Sequence, residues 1–184
     1  MADVLARAGF DAEHSYIANQ GGLAHVYLRA PGAPWSETPD VPGLRAAAES
    51  LEADSGLSEE LESVCYRDAG YRCLNALDAD RMRLLDAMNS RRTGDLILLA
   101  KPGRYFGNSA AERSEHGSLS DTDLAVPLIL CGGGVMPGRV SDAAATVQIA
   151  ATIADYLGFT APGAQPHLPH VFLGKGRKKM TPPR

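Results

Sequence analysis

On residue types alone, the chemistry available to this chain centres on one imidazole in a polar loop. His116 lies in the stretch RTGDLILLAKPGRYFGNSAAERSEHGSLSDTDLAVPLILCGGGV, Arg92 to Val135, and is followed by Gly117 and Ser118. A neutral imidazole is a common donor to divalent metal ions. Metal sites need several convergent donors, however, and the nearby Glu112, Glu115, Asp121 and Asp123 have no diagnostic ligand spacing. Taken alone, a single histidine in a polar loop is more often solvated than a ligand.

Other chemical signals have plainer readings. His167 and His170 have the spacing His-x-x-His, but Pro166 and Pro169 disfavour a helical presentation, so PHLPH reads as a surface turn. His25 falls inside an apolar strand and is expected to be a hydrogen-bonded structural residue. His14 precedes a strand and carries no signal of its own. Gly132-Gly133-Gly134 runs into Val135-Met136-Pro137, without the Gly-Lys-Ser/Thr of a P-loop, and Gly174-Lys175-Gly176 lacks the following Ser or Thr. Both read as turns.

The elements that must hold His116 are two short apolar runs. Leu96–Ala100 (LILLA) follows Thr93-Gly94-Asp95 and ends at Pro102-Gly103, and Val126–Cys131 (VPLILC) ends at the three glycines. Runs this short, apolar on both faces and bounded by turn residues, are expected to be buried strands. Upstream, a short helix from Asp3 closes at Gly9. Ala24–Leu28 is expected to be a strand entered through the Gly21-Gly22 turn, and Val64–Leu74 one or two strands. Leu44, Ala48 and Leu51 mark a helix over 44–53, and Met82, Leu85 and Met88 one over about 79–90. A last helix is expected from an N-cap at Ser141 to about Leu157, with Gly158 after it. Helices alternating with buried strands predict an α/β fold.

Bulk properties narrow the function class. The chain has 184 residues, 45% hydrophobic and 22% charged, which suits one globular domain. A net charge of -4 and a pI of about 5.7 have the wrong sign for nucleic-acid binding. The one basic cluster, Lys175, Arg177, Lys178 and Lys179, lies in a Pro/Gly-rich tail over 161–184 that is expected to be poorly ordered. No stretch approaches the roughly 18 apolar residues that span a bilayer. The start, MADVLARAGFDAEH, does not read as a secretory leader. Three cysteines, Cys65, Cys73 and Cys131, then predict reduced thiols and a cytoplasmic location.

Four segments in order resemble the C-terminal region of the type I phosphodiesterase and nucleotide pyrophosphatase branch of the alkaline phosphatase superfamily. RTGDLILLAKPGRYF, then HGS, then VPLILCGGGV follow that family's strand, His-Gly loop and "VPLI…G" strand. GGLAHVYL resembles its "GG-A-x-x-YL" strand. VSDAAATVQIAATIADYLG resembles its closing helix, although Gln148-Ile149-Ala150-Ala151-Thr152-Ile153 stands where Asp-Ile-Ala-Pro-Thr-Leu is usual. The resemblance implies a partial alkaline-phosphatase-like sheet with flanking helices over residues 1–160. It also implies that His116 is a ligand to a divalent metal, with zinc first and two ions per site in the intact family enzyme.

The resemblance further implies what is absent. No segment matches the family's Thr or Ser nucleophile loop, and there is no Asp-His-Gly motif. The family commonly carries Asp-His-Gly-Met just before the segment matching Asp3–Gly9, so Met1 stands at that motif's Met. The expectation is a C-terminal fragment or one half of a split enzyme, with a separate N-terminal chain as partner and a small phosphate ester as substrate. Alone it is expected to hold no stoichiometric metal and to be inactive. Close alternatives are a phosphonoacetate hydrolase, a phosphomonoesterase or a sulfatase, and outside the class a non-catalytic α/β module.

Overall fold

The structure, a computed structural model, describes residues 1–107, 115–138 and 143–172. The chain divides into two compact units, one from Met1 to Ala125 and one from Val126 onward.

The first unit opens with α1 (Ala2–Arg7), after which Gly9 takes the left-handed conformation at φ 94°, as its place after a helix predicts. Strands β1 (Ser15–Gln20) and β2 (Leu23–Leu28) form a hairpin across Gly21-Gly22. Helix α2 (Val41–Ala53) starts where the Asp40 carboxylate accepts the Gly43 amide at 2.9 Å, with a proline in its first turn. Leu44, Ala48 and Leu51 are buried, as their spacing predicts. The short α3 (Ser55–Ser58) leads to a second hairpin, β3 (Leu61–Arg67) and β4 (Tyr71–Cys73), which resolves the open reading of this stretch as two strands. Helix α4 (Ala79–Met88), capped by Asp78, precedes β5 (Leu96–Ala100).

The sheet has five strands in the order β1-β2-β5-β3-β4, and every neighbouring pair is antiparallel. Each hairpin is antiparallel because its connection is short. β5 then enters between the two hairpins, so it is the central strand although it comes last in the chain. Its pleat explains the uninterrupted apolar run. Leu96 and Leu98 pack with Val26, Leu28 and residues of α1 and α2, while Ile97 and Leu99 pack with Cys65, Tyr71 and Leu85 of α4. Burying one such side chain stabilises the fold by about 1.5–3 kcal/mol.

Two expectations are corrected in the described residues. Val126–Cys131 is not a strand: it is irregular and solvent-facing, with Ile129 82% exposed. An apolar run becomes a strand only when another strand takes up its amides and carbonyls, and none among the described residues does so here. Cys65 and Cys73 are not reduced thiols. They face each other across β3 and β4 and are joined by a disulfide, and Cys131 is free and exposed.

The first unit ends with the single-turn α5 (Asp121–Leu124); in the second, a 3-10 turn (Thr146–Gln148) leads into α6 (Ile149–Leu157), closed by Gly158 at φ 81°. A third expectation is corrected as well: the helix starts at Ile149 rather than just after Ser141, because residues 143–145 are not helical and Ala145 is extended; Ser141 itself and the basic cluster of the tail lie outside the described residues. PHLPH forms irregular structure and a turn, as expected. Among the described residues no helix is long and apolar enough to cross a membrane.

Candidate metal-ligand site

The tip of the β1–β2 hairpin is a junction of backbone segments. The Gly21 carbonyl accepts the Phe106 amide at 2.7 Å, the Gly22 carbonyl accepts the Ala100 amide at 3.1 Å, and the Gly22 amide donates to the His116 carbonyl at 3.1 Å. Gly21 stands at φ 60°, and a Cβ there would lie 1.7 Å from the His116 carbonyl oxygen. A Cβ on Gly22 would lie 2.3 Å from that of Ser118. The two glycines therefore make a turn and also a socket into which the His116–Ser118 backbone fits.

Three residues beyond His116, Leu119 is buried in the core with Leu23, Leu85 and Leu99. The segment is thus held by a backbone hydrogen bond on one side and an apolar anchor on the other. The His116 residue itself is exposed. Its fixed backbone leaves the ring side open to solvent, which suits a group that must be reached by an ion.

Asp123 lies in the single-turn helix α5 (Asp121–Leu124) and accepts the Ser118 amide at 2.9 Å. The Ser118 hydroxyl and amide hold the Asp123 carboxyl below the usual carboxylate range, and positive charge on His116 acts in the same direction. Hydroxyls of Ser118, Ser120 and Thr122 form a chain, at 2.7 and 2.9 Å. The other nearby carboxylates do not join the cluster in the same way. Asp121 contributes its charge to Arg81, Glu115 is exposed, and Glu112 lies outside the described residues. Among the described residues no group of three or more His, Cys, Asp or Glu could hold a metal ion. The described residues therefore present no complete ligand set around His116.

Three of the other four histidines have structural partners. His25 is buried and its Nδ1 accepts the Gly94 amide at 3.2 Å, the structural role expected for it. Burial pushes its pKa down. His14 Nδ1 lies 2.7 Å from an Asp11 carboxylate oxygen, and His167 Nδ1 lies 3.0 Å from the Leu168 carbonyl.

A polar network at the opposite end of β5 escapes the motif reading. Asp95 is buried, and one carboxylate oxygen accepts the Leu28 amide at 2.9 Å while the other stands 3.6 Å from Arg67 Nε, an ion pair beyond hydrogen-bond length. Burial raises the Asp95 pKa against the opposing pull of Leu28 and Arg67. Arg67 also donates to the Thr93 carbonyl at 2.6 Å, and Tyr71 donates to the Gly94 carbonyl at 2.6 Å. Burial pushes the Tyr71 phenol up to about 12. This network joins β2, β3 and β5. The signal for it in the sequence is an acid placed directly before a wholly apolar strand, where it must find partners.

No family profile matches the chain, and no solved structure matches it. Among curated proteins, a calcium-transporting ATPase from Myroides odoratus is 31% identical over 77 residues. That match covers 42% of this chain and spans 14% of the relative's length.

Proposed function

We propose that this chain is the C-terminal portion of a metal-dependent hydrolase of phosphodiester or pyrophosphate bonds, in which His116 gives one imidazole to a divalent ion, zinc first. The observation that carries the reading is the seating of the His116 backbone in the Gly21-Gly22 socket with the residue itself open to solvent. A donor held by its backbone adds little ordering cost when an ion arrives. The sequence resemblance supplies the chemistry: strand, His-Gly loop and closing helix stand in the family's order. The partial alkaline-phosphatase-like character of the sheet belongs to the same proposal.

One imidazole does not make a metal centre. A full structural zinc site binds with an apparent free energy of about 10–16 kcal/mol, and two-metal hydrolysis needs ions about 3.5–4 Å apart. The remaining donors and the nucleophile are therefore assigned to another portion or partner chain, and the substrate to small phosphate esters. When bound, zinc would orient the substrate and lower the pKa of a water. His116 would hold that ion, and the glycine socket would hold His116. The name of the Myroides relative, an ATPase, shares phosphoryl chemistry with this reading and nothing finer. The cytoplasmic setting expected from reduced thiols loses that support, because Cys65 and Cys73 form a disulfide.

The test is co-expression with the product of the reading frame directly upstream, followed by assay of a nitrophenyl phosphodiester with zinc present. The expected result is a complex that retains zinc and turns over, and that loses at least about a hundredfold in kcat/KM on His116→Ala. A complex whose zinc content and turnover survive the substitution overturns the reading. A chain that co-purifies with no partner and shows no zinc-dependent turnover supports a non-catalytic module instead. Relative rates on nitrophenyl phosphate, nitrophenyl sulfate and phosphonoacetate separate the alternatives within the superfamily.

A further inference from the structure

The residue two positions after His116 has its amide taken by a side chain rather than by water. The Ser118 amide donates to Asp123 Oδ2 at 2.9 Å. Asp123 is itself held by a short helical turn: its amide donates to the Ser120 carbonyl at 3.0 Å, as does that of Leu124, and the Ala125 amide donates to the Asp121 carbonyl at 2.9 Å. The Ser120 amide closes back on the Ser118 hydroxyl at 3.1 Å. Leu119, between them, is anchored in the core.

The His116–Gly117–Ser118 turn thus has two independent restraints. The Gly22 amide fixes it from the hairpin side, and the Asp123 carboxylate fixes it from the α5 side. Gly117, at φ 91°, is the flexible link between them. If the carboxylate is removed, Ser118 keeps its packing on Gly22 and its hydroxyl contacts with Ser120 but loses the partner of its amide, and the link gains freedom to carry the imidazole away from one orientation.

We propose that Asp123 is a positioning residue for His116: by holding the Ser118 amide it fixes the turn that presents the imidazole to a divalent cation. As a statement about a metal ligand, this rests on the function proposed above. Its ordering of the turn does not require that function. Asp123 is assigned no contact with the ion.

The test uses the whole chain, with zinc alone as the probe, and follows the imidazole resonances of His116 by NMR. His25, buried elsewhere in the unit, reports whether each variant remains folded. In zinc-free protein, Asp123→Ala is expected to increase the mobility of the His116 amide and ring while leaving His25 unchanged. On titration, the same variant is expected to need about tenfold more zinc to shift His116. Asp123→Asn keeps an acceptor oxygen and is expected to recover most of both effects, which a loss of general stability would not do. An Asp123→Ala chain with wild-type His116 mobility and zinc response overturns the proposal. Asp123→Asn behaving like the alanine variant overturns the hydrogen bond as its basis. If excess zinc moves His116 in no variant while the mobility difference persists, the positioning of the turn stands, and the donors among the described residues are too few for the chain alone to report on the metal.

Discussion

The His116 carbonyl accepts the Gly22 amide at 3.1 Å, so the imidazole-bearing loop is fastened to the tip of the β1–β2 hairpin through backbone atoms. This joins segments far apart in sequence without using the side chain that would do the chemistry. The His116 residue is exposed, and the place of its backbone is decided by two residues that have no side chain.

Gly21 should therefore be intolerant of any side chain. Gly21→Ala puts a methyl group 1.7 Å from the His116 carbonyl oxygen and a non-glycine residue at φ 60°. The expected cost is about 2–4 kcal/mol in urea denaturation, with faster proteolysis next to His116. Stability within about 0.5 kcal/mol of wild type would show that the socket does not exist.

Acid should act through His25. Its pKa is held below 6.5 by burial, so the folded state prefers the neutral ring. The stability this contributes is present above pH 6.5 and is lost as pH falls from there through the folded value. Asp95 acts in the opposite sense. Its pKa is raised above 3.8, so its contribution is present below 3.8 and is lost as pH rises through the folded value. His25→Gln should flatten the acid limb of a plot of urea midpoint against pH, and an unchanged limb would assign acid sensitivity elsewhere.

Asp95 itself should be costly to truncate. Asp95→Ala leaves the Leu28 amide without its acceptor and Arg67 without its ion-pair partner. The expected loss is about 3–5 kcal/mol. Asp95→Asn keeps an acceptor and removes the buried charge, so it should cost clearly less. Equal losses for the two variants would mean that charge pairing, not amide capping, is the main contribution.

Thiol counting tests the β3–β4 link. Native protein under denaturing, non-reducing conditions should show one reactive thiol, Cys131, and reduced protein three. For so short a loop, reduction should lower stability by about 2–3 kcal/mol. Three thiols before reduction would restore the cytoplasmic reading.

The local parts of the fold were legible because they depend on local chemistry. Asp40 and Asp78 cap helices, Gly9 and Gly158 end them, and LILLA is apolar on both faces because helices cover both. Pairing was not legible in the same way. VPLILC has the same composition signal as LILLA, yet Val126 and Ile129 face solvent, since strand formation needs a partner that composition does not supply. The insertion of β5 between two hairpins, and the register that sets Cys65 opposite Cys73, are likewise set at long range. At the candidate site, His116 was singled out by the resemblance of its His-Gly-Ser segment to a family loop, and its role as a ligand remains the proposal. Asp123 was not legible, because it serves a backbone amide and so has no ligand spacing to detect.

The most direct measurement follows the five imidazoles separately while zinc is added to the whole chain. The His116 ring is expected to respond first, at zinc in excess over the protein, while His25 stays silent and His116→Ala removes that first response. A first response from His167 and His170, with His116 unmoved, would contradict that expectation.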